Sequence, residues 1–316
     1  MDCLSLKRQI LSAGAVAVGF APLRPVPSEV MAGYAEWLAA GKHGSMAYLA
    51  NHLEIRCNPA LLLGDGQDPR PGGTVISIAF PYFCGDPYRE GKLKISRYAL
   101  GDDYHEVLRK RLLPVAGRIT AETGREARIC VDTAPIFERH WAVEAGIGFI
   151  GRNRQLIIPG TGSHIFLAEI VTRATFPPDT PSAGSCPEGC DRCIRACPGH
   201  ALSANTPCGF DAARCHSYLT IEHRGEFPPG FTPRKNRLYG CDICLEACPL
   251  SRPAPENTPR CMPEFVPREA LLDLTPADIL HLDPAAFSTL FRHSPVKRAK
   301  LAGLLRNAAH FMPPIL

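Results

Sequence analysis

The 316-residue sequence lacks any run of about 18 apolar residues, the length that a membrane-spanning helix needs. It also lacks an apolar N-terminal segment with a small-residue cleavage site, so no secretory signal is predicted. The Lys7-Arg8 pair is not followed by such a segment, which argues against a twin-arginine export signal. These absences predict a cytoplasmic protein with no membrane partner.

Strong charge of either sign is also missing. The formal net charge is +4, and the isoelectric point of about 8.4 lies below the value of about 9 that by itself suggests nucleic-acid binding. The charge therefore neither demands nor excludes a polyanionic partner. With 45% hydrophobic and 21% charged residues, the chain can bury a full core and is predicted to form two or three domains.

The secondary-structure pattern divides the chain into three parts. Up to about residue 175, strands (74–80, 127–131, 155–158 and 165–172) alternate with helices (46–52, 103–122 and 137–145), which predicts a layered α+β domain. Asp103 is the predicted cap of the long helix, and Gly124 is its predicted stop. Residues 176–185 hold three prolines among small polar residues and are predicted to be a linker. From about residue 263 the chain is predicted to be helical, ending in a helix at 295–309.

Cysteine is abundant, with 14 residues, and most of them fall in two related runs. Residues 186–198 read CPEGCDRCIRACP, and residues 241–249 read CDICLEACP. Thiolates at this spacing, closing with Cys-Pro, are typical of bacterial ferredoxins with two 4Fe-4S clusters, in which the Cys-Pro cysteine ligates the opposite cluster. This crossing assigns Cys186, Cys190, Cys193 and Cys248 to one cluster. It assigns Cys197, Cys241 and Cys244 to the other.

The second cluster then needs one further thiolate. Cys208, Cys215 and Cys261 are the candidates, and we choose Cys215 because it opens the apolar segment CHSYLTIE, whereas Cys208 follows Asn-Thr-Pro in a predicted turn. The first run departs from the ferredoxin pattern, because three residues and not two separate Cys186 from Cys190. Cys186 and the extra Cys208 therefore leave a shifted ligand set open.

Two other uses of cysteine are less favoured. Two C-x2-C motifs, Cys190 with Cys193 and Cys241 with Cys244, could together hold structural zinc. A zinc site would leave both Cys-Pro sequences unexplained. Disulfides are disfavoured, because the chain has no export signal and its cysteine density is well below that of a secreted disulfide scaffold. We therefore expect reduced thiols that bind metal.

The first part of the chain contains two further candidate motifs. Gly146, Gly148 and Gly151 match a dinucleotide-binding pattern with Glu169 near the distance of a ribose-binding acid, but the pattern follows a helix and precedes a strand, so we reject a nicotinamide site. We expect these glycines to let the backbone pass close to something bulky. Asp132 ends a predicted strand, where it is either a turn residue or a proton donor whose pKa is raised by burial.

Several long segments resemble epoxyqueuosine reductases. They are VDTAPIFERHWAVEAGIGFIGRNRQLI (131–157), CDRCIRACPGHAL (190–202), CHSYLTIEHRG (215–225), GCDICLEACP (240–249) and SPVKRAKLAGLLRNA (294–308), together with IRCNP (55–59) and SRYALGDDYHEVL (96–108). The resemblance covers nearly the whole chain from residue 44. The family also has a cysteine at the position of Cys215.

The resemblance implies an α+β protein with an α/β-layered cobalamin-binding catalytic domain (1–175), a ferredoxin-like domain with two 4Fe-4S clusters (176–262) and a helical C-terminal segment packing on the catalytic domain (263–316). It implies an enzyme that reduces epoxyqueuosine to queuosine at the wobble position of tRNA. Cob(I)alamin would attack the epoxide, Asp132 would donate a proton, and the clusters would relay electrons from an external low-potential donor. Proton donation by Asp132 would require a raised pKa.

The resemblance also suggests residues around the cofactor and the substrate. The candidate walls of the cobalamin site are Arg56, Tyr98, His105, Asn153, Ser163 and Asp242, and Arg139 is the candidate substrate-binding residue. A turn at residues 146–151 would let the macrocycle approach the backbone. We expect a monomer. The alternatives are a reductive dehalogenase-like corrinoid enzyme and a two-cluster electron-transfer protein without cobalamin. Ala134 and Arg152 stand where Gly and Lys are expected, and the helical repeats that extend some relatives are missing.

Overall fold

The computed structural model describes residues 2–64, 72–203, 209–234, 236–254 and 261–311. The helices are α1 (Cys3–Ser12), α2 (Ser28–Ala39), α3 (Leu53–Cys57), α4 (Tyr104–Thr123), α5 (Glu138–Glu144), α6 (Arg192–Ala196), α7 (His216–Ile221), α8 (Ile243–Glu246), α9 (Glu269–Leu272), α10 (Pro276–Leu280), α11 (Pro284–Leu290) and α12 (Lys300–Ala309). The strands are β1 (Ala17–Pro22), β2 (Thr74–Pro81), β3 (Lys94–Ile95), β4 (Ala127–Cys130), β5 (Phe149–Ile150), β6 (Leu156–Ile157), β7 (Ile165–Thr172) and β8 (Arg237–Tyr239).

A four-stranded antiparallel sheet forms the centre of the N-terminal part, in the order β1-β2-β7-β4. The predicted strand at 165–172 is confirmed residue for residue, and the predicted strand at 74–80 is one residue longer. All eight residues of β2 are buried, because helices cover both faces of the sheet. The fold class is α+β, as the sequence predicted.

Helix α4 covers one face of the sheet. Its apolar residues recur at helical spacing and pack with α1 against the sheet, and they are Leu108, Leu112, Val115 and Ile119. The Asp103 side chain accepts a hydrogen bond from the His105 backbone N–H at 3.0 Å and caps the helix, while Gly124 ends it at a φ of +66°. The predicted cap and stop are both confirmed.

Helix α5 covers the opposite face, above a row of four residues that pair across the strands. The row runs from Gly19 through Ser77 and Glu169 to Cys130. These side chains are small except for Glu169, so α5 can lie very close to the sheet. A Cβ atom at Gly19 would come within 1.9 Å of the Ala145 carbonyl oxygen, which shows how tight this contact is.

A third core joins the C-terminal helices to both other parts of the chain. It contains Ile95 and Leu100 from the N-terminal part, Leu238 from the cysteine-rich part, and Phe291 and Leu304 from the C-terminal helices. Strand β3 also pairs in parallel with β8. The C-terminal segment therefore packs on the N-terminal part, as expected, and on the cysteine-rich part as well.

Three predicted elements were wrong in detail. The helix expected at 46–52 is a short 3-10 turn at Ala47–Ala50, which is separated from α3 by His52 at a φ of +56°. The helix expected at 295–309 begins as a 3-10 turn, Pro295–Ala299. It continues as α12, which starts at Lys300, and Lys300 has a φ of +62°. The strand expected at 155–158 is reduced to β6.

The expectation that no cysteines form disulfides was also wrong. Cys84 and Cys261 form a disulfide with a Cα–Cα distance of 5.2 Å. The segment after β2 brings Cys84 against the 3-10 turn Pro263–Phe265, where its Sγ also lies 3.4 Å from the Phe265 carbonyl oxygen. The pairing removes Cys261 from the candidate cluster ligands.

None of the helices in the described ranges has the length and apolar character that a bilayer crossing needs.

The close contact at Gly19 predicts a stability change. We expect Gly19→Ala to lower the free energy of unfolding by about 1–3 kcal/mol, because the new methyl group must displace the Ala145 carbonyl. Gly117→Ala in α4 is the matched control, since its Cβ would meet no atom within 4 Å, and we expect it to gain about 0.5–1 kcal/mol. Thermal unfolding of both variants checks this; equal melting temperatures would contradict it.

Candidate functional site

The first predicted set of thiols lies around one cavity. Cys186, Cys190, Cys193 and Cys248 line it together with Arg152, Asn153, Ile157, Pro187, Pro249 and Leu250. Gly189, at a φ of +65°, turns the chain between Cys186 and Cys190 and takes up the extra residue of this spacing. The Arg152 backbone N–H contacts the Cys186 Sγ at 3.4 Å. The structure therefore groups Cys186 with the other three thiols despite its unusual position.

The second set also comes together. The buried Cys244 thiol has Cys241, Cys215 and Cys197 as its thiol neighbours. Cys197 and Cys215 are brought close because their segments touch at Gly199, where a Cβ would lie 1.9 Å from the Arg214 carbonyl oxygen. Cys215 stands at the N-terminal cap position of α7. Cys208 lies outside the described residues.

The protonation of these thiols depends on what they bind. Burial is the main cause that raises the pKa of Cys241 to about 12, and burial with the neighbouring thiols raises the pKa of Cys244 well above its usual value. A buried thiolate without a cation is unfavourable, so the set needs metal to hold it deprotonated. Within the described residues, no three His, Cys, Asp or Glu side chains are arranged to hold a single metal ion. Each set of four thiols matches the number of ligands that one 4Fe-4S cluster takes.

Asp132 lies in the turn after β4, at a φ of +54°. A non-glycine residue in this region is strained, and such strain clusters at functional sites. The Glu138 Oε1 holds the turn by accepting a hydrogen bond from the Asp132 backbone N–H at 2.6 Å. The Asp132 carboxylate contacts the Tyr104 hydroxyl at 2.9 Å and the His105 Nε2 at 3.2 Å. Its side chain is 58% exposed and faces an open side of the site.

The expectation that the Asp132 pKa is raised was wrong. Burial acts to raise this pKa, but the hydrogen bonds and charge of His105 and the Tyr104 hydroxyl outweigh burial and lower it. Burial acts to lower the pKa of His105, but Asp103 and Asp132, one on each ring nitrogen, raise it to about 9. At neutral pH the labile proton of this pair therefore sits on His105.

The six cobalamin-wall candidates fall into two groups. Arg56 Nε, Asn153 Nδ2 and Ser163 Oγ are buried and have no hydrogen-bond partner within the described residues. Buried donors of this kind need an acceptor, and the amide side chains of a corrinoid supply several, so these residues fit the group. The other three are already bonded: Tyr98 to the Tyr239 hydroxyl, His105 to Asp132, and Asp242 to the Arg97 backbone N–H.

Asp242 is 3% exposed and also accepts hydrogen bonds from Ser96 and from Tyr88. These contacts hold the segment 95–97 against α8, so Asp242 has a structural role here. Arg139, the substrate candidate, is exposed and donates to the Arg154 carbonyl oxygen. It lies near enough to Asp132 to lower the pKa of that carboxyl, so it borders the same open side.

The glycines at 146–151 pack against other parts of the chain. A Cβ at Gly146 would lie 2.4 Å from the Thr180 carbonyl oxygen, and one at Gly148 would lie 2.4 Å from that of Ile157. A Cβ at Gly151 would meet the Ile157 side chain at 2.6 Å. The expected close backbone approach is present at Gly146 and Gly148, and the neighbour there is the chain itself.

Sequence reasoning missed the two carboxyls behind Asp132. Glu138 was only part of a resembling segment, and Glu169 was considered only as a ribose-binding acid. Glu169 is completely buried, which raises its pKa well above the usual value, with the Glu138 charge adding to the effect. Burial, with the charge of Asp132 adding to it, raises the pKa of Glu138 to about 8. A single acid inside the apolar strand IFLAEIVT was the one signal in the sequence.

Comparisons with known proteins point to one family. The family description "Epoxyqueuosine reductase QueG, DUF1730" matches residues 56–133, and "4Fe-4S double cluster binding domain" matches residues 186–251. An epoxyqueuosine reductase of Leadbetterella byssophila is 38% identical over 275 residues, covering 86% of each chain.

Solved structures are similar over almost the whole chain. An epoxyqueuosine reductase crystallised with an epoxyqueuosine-modified tRNA-Tyr stem loop has a TM-score of 0.83 and 27% identity, over 97% of this chain and 80% of the other. The Bacillus subtilis enzyme, with its catalytic aspartate loop swung out of the active site, has a TM-score of 0.81 and 27% identity over the same shares. By its sequence and its structure, this chain belongs to the epoxyqueuosine reductase family.

Proposed function

We propose that this protein reduces epoxyqueuosine to queuosine at the wobble position of tRNA. The observation that carries the proposal is the Asp132–His105 pair, which presents a proton at an exposed carboxylate on a strained turn. The oxygen of an opening epoxide needs such a proton. A related enzyme was crystallised with a modified stem loop, and another with its catalytic aspartate loop swung out of the active site, which supports both the substrate and the role of Asp132.

Cobalamin and two 4Fe-4S clusters are the cofactors of the family. Bound cobalamin supplies a reducible, nucleophilic metal centre, and the clusters supply electrons one at a time. We propose Arg56, Asn153 and Ser163 as the residues that hold the corrinoid, because each carries a buried donor that needs an acceptor. His105 takes part through Asp132, Tyr98 and Asp242 support the walls, and Arg139 contacts the substrate at the open side.

The eight thiols are assigned to two clusters. We propose Cys186, Cys190, Cys193 and Cys248 as ligands of one cluster, and Cys197, Cys215, Cys241 and Cys244 as ligands of the other. We also propose a catalytic domain at 1–175, a cluster domain at 176–262 and a C-terminal segment at 263–316. The working protein would be a cytoplasmic monomer that takes electrons from an external low-potential donor.

The neighbours of Asp132, the proposed acid, supply its proton and hold its carboxylate in place. Asp103 bonds the His105 Nδ1 at 2.7 Å, which directs the Nε2 proton at Asp132. Asp132 can pass this proton to the substrate oxygen and recover its charge beside the imidazole. Tyr104 donates to the same carboxylate and limits its rotation. The Glu138 bond to the Asp132 backbone keeps the carboxylate at the open side.

The direct test of the proposed function uses the reconstituted protein. Incubation with tRNA that contains epoxyqueuosine, cobalamin and a strong reductant should yield queuosine in a mass analysis of the nucleosides. Unchanged epoxyqueuosine in the presence of both cofactors would contradict the proposal.

The cluster assignment predicts the iron content of variants. The wild-type chain should bind about eight iron atoms, and Cys215→Ser should bind about four, because it removes one ligand of a single cluster. Cys57→Ser is the control, since Cys57 is a free cysteine outside both sets, and it should keep the wild-type iron content. Iron analysis and absorption spectra decide between these outcomes.

Removing the carboxylate of Asp132 should stop the chemistry and leave the cofactors in place. We expect Asp132→Asn to lower kcat by about 100-fold or more, because the amide cannot transfer the proton of His105. The variant should still bind iron and cobalamin as the wild type does. Normal queuosine formation by this variant would show that another group is the acid.

The His105 proton also predicts a pH dependence. Activity should fall as the pH rises through about 9, where His105 loses its proton. The raised pKa of His105 also stabilises the folded state. This contribution is present in full below the ordinary pKa of 6.5 and is lost as the pH rises through about 9. Asp103→Asn keeps the helix cap but removes the charge beside Nδ1, so the fall in activity should move to lower pH.

The matched control for Asp103→Asn is Asp283→Asn, which removes a charge at the cap of α11, away from the site. Its pH profile should equal that of the wild type. An unchanged profile in the Asp103 variant would mean that His105 does not hold the working proton.

A further inference from the structure

The reaction proposed above takes up two protons. The first converts the epoxide oxygen to a hydroxyl as one carbon–oxygen bond breaks. The second lets that hydroxyl leave as water, as the other carbon–oxygen bond breaks and the double bond forms. Two electrons enter over the same steps from the external donor, so that epoxide, two electrons and two protons give alkene and water. The Asp132–His105 pair holds one labile proton, and a second must come from elsewhere.

Bulk water reaches Asp132 from the open side of the site. The carboxylate is 58% exposed there, and a substrate oxygen that takes a proton from Asp132 has to lie against this exposed carboxylate. A bound nucleotide would therefore cover the same route that water uses. The second proton is needed while the substrate is still in place, so it has to arrive from the protein side of Asp132.

Two carboxyls lie on that protein side. Glu138 contacts the Asp132 backbone at 2.6 Å from the first turn of α5. Glu169 lies in β7, one strand away from the end of β4 that carries Asp132, and pairs there with Cys130. Alternation along β7 places Glu169 on the face that α5 covers, because Val171 on that face packs with Trp141 of α5. The carboxyls of Glu138 and Glu169 feel each other's charge.

The surroundings of Glu169 require a neutral carboxyl. Its side chain is 0% exposed, and Oε1 has one partner, the Ser77 hydroxyl at 3.2 Å. Its Oε2 is buried without a hydrogen-bond partner among the described residues. The titratable groups that face it are Glu138 and Cys130, and neither brings a positive charge. A carboxylate in this place would lose its hydration without gaining a positive neighbour, so the resting Glu169 side chain is protonated.

A proton could also move between these groups. Trp141 Nε1, which is on the same side of the sheet, is likewise buried without a partner in the described ranges. Enclosed polar atoms of this kind are usually satisfied by ordered water. Glu138 and Trp141 both belong to α5, which covers this side of the sheet. The small residues Gly19 and Ser77 beside Glu169 let α5 close over the carboxyl and separate it from bulk solvent.

We propose that Glu169 stores the second proton of the reaction and supplies it through Glu138 to Asp132 while the substrate covers the open side. The neutral Glu138 carboxyl passes its proton to the Asp132 carboxylate, which gives it to the leaving hydroxyl, and the Glu169 proton then replaces the one that Glu138 has lost. After the product departs, water at the exposed Asp132 refills the store in the reverse direction. Glu169 acts through Asp132 and does not touch the substrate. This inference rests on the proposed function.

The test uses Glu169→Gln in the cofactor-loaded protein. Glutamine has the same shape and can still bond Ser77, but it cannot release a proton. We expect kcat to fall about 10-fold, with an unchanged KM for tRNA. The loss should shrink as the concentration of a small weak-acid buffer rises, because the buffer can replace the stored proton. A purely structural defect would not respond to the buffer.

A second readout does not need activity. The infrared spectrum of the unloaded protein should contain the C=O stretch of a protonated, buried carboxyl, which Glu169→Gln removes. Ser77→Ala, which deletes the one hydrogen bond to Glu169, should shift this band and leave it present. Glu126→Gln is the control, because it removes a carboxyl from the surface, and it should change neither the band nor kcat.

The outcomes separate the two proposals. Wild-type protein that makes no queuosine overturns the proposed function, and the infrared band then still reports on the state of Glu169. An active wild type with an unchanged band, kcat and buffer response in Glu169→Gln overturns the proton store alone.

Discussion

A buried thiolate is stable only beside a cation, and this constraint governs the cysteine-rich part of the protein. Eight thiols are gathered into two sets, and burial raises the pKa of Cys241 and Cys244 so far that neither ionises unaided at neutral pH. Iron must therefore bind as the thiols deprotonate. The core of this part contains few residues besides Cys193, Cys197, Ala201 and Leu202, so iron held by the proposed ligands would tie together segments that share little apolar surface. Cluster binding and folding are linked here.

The acid site depends on a different balance, between burial and hydrogen bonding. Desolvation acts to raise the pKa of Asp132, but two donors on its carboxylate reverse the direction of the shift. In the described ranges neither Glu138 nor Glu169 has a cationic hydrogen-bond partner, and burial raises the pKa of both. Three carboxyls close together thus differ in protonation. This difference lets one site hold both an ionised acceptor and protonated donors at the same pH.

The sheet and its helices position these groups. Asp132 follows β4 directly, His105 stands in the first turn of α4, and Glu138 begins α5. Each helix packs on a different face of the sheet, so their N-terminal ends meet at the edge where β4 ends. The third core, which joins residues 93–100 to β8 and the C-terminal helices, holds the cluster part against this edge. The proposed electron and proton supplies would therefore converge on this edge.

Local patterns in the sequence determined much of this. The Cys-Pro runs and the segment that opens at Cys215 predicted both thiol groupings, and the Asp103 cap and Gly124 stop predicted the ends of α4, because spacing and backbone preference are properties of neighbouring residues. The tertiary structure alone decided where the protons lie, which glycines face backbone, and that Cys84 meets Cys261. These features depend on atoms that are distant in the chain: His105 is 27 residues from Asp132, and Ser77 is 92 residues from Glu169. A pKa follows from such contacts, and residue order by itself does not specify them.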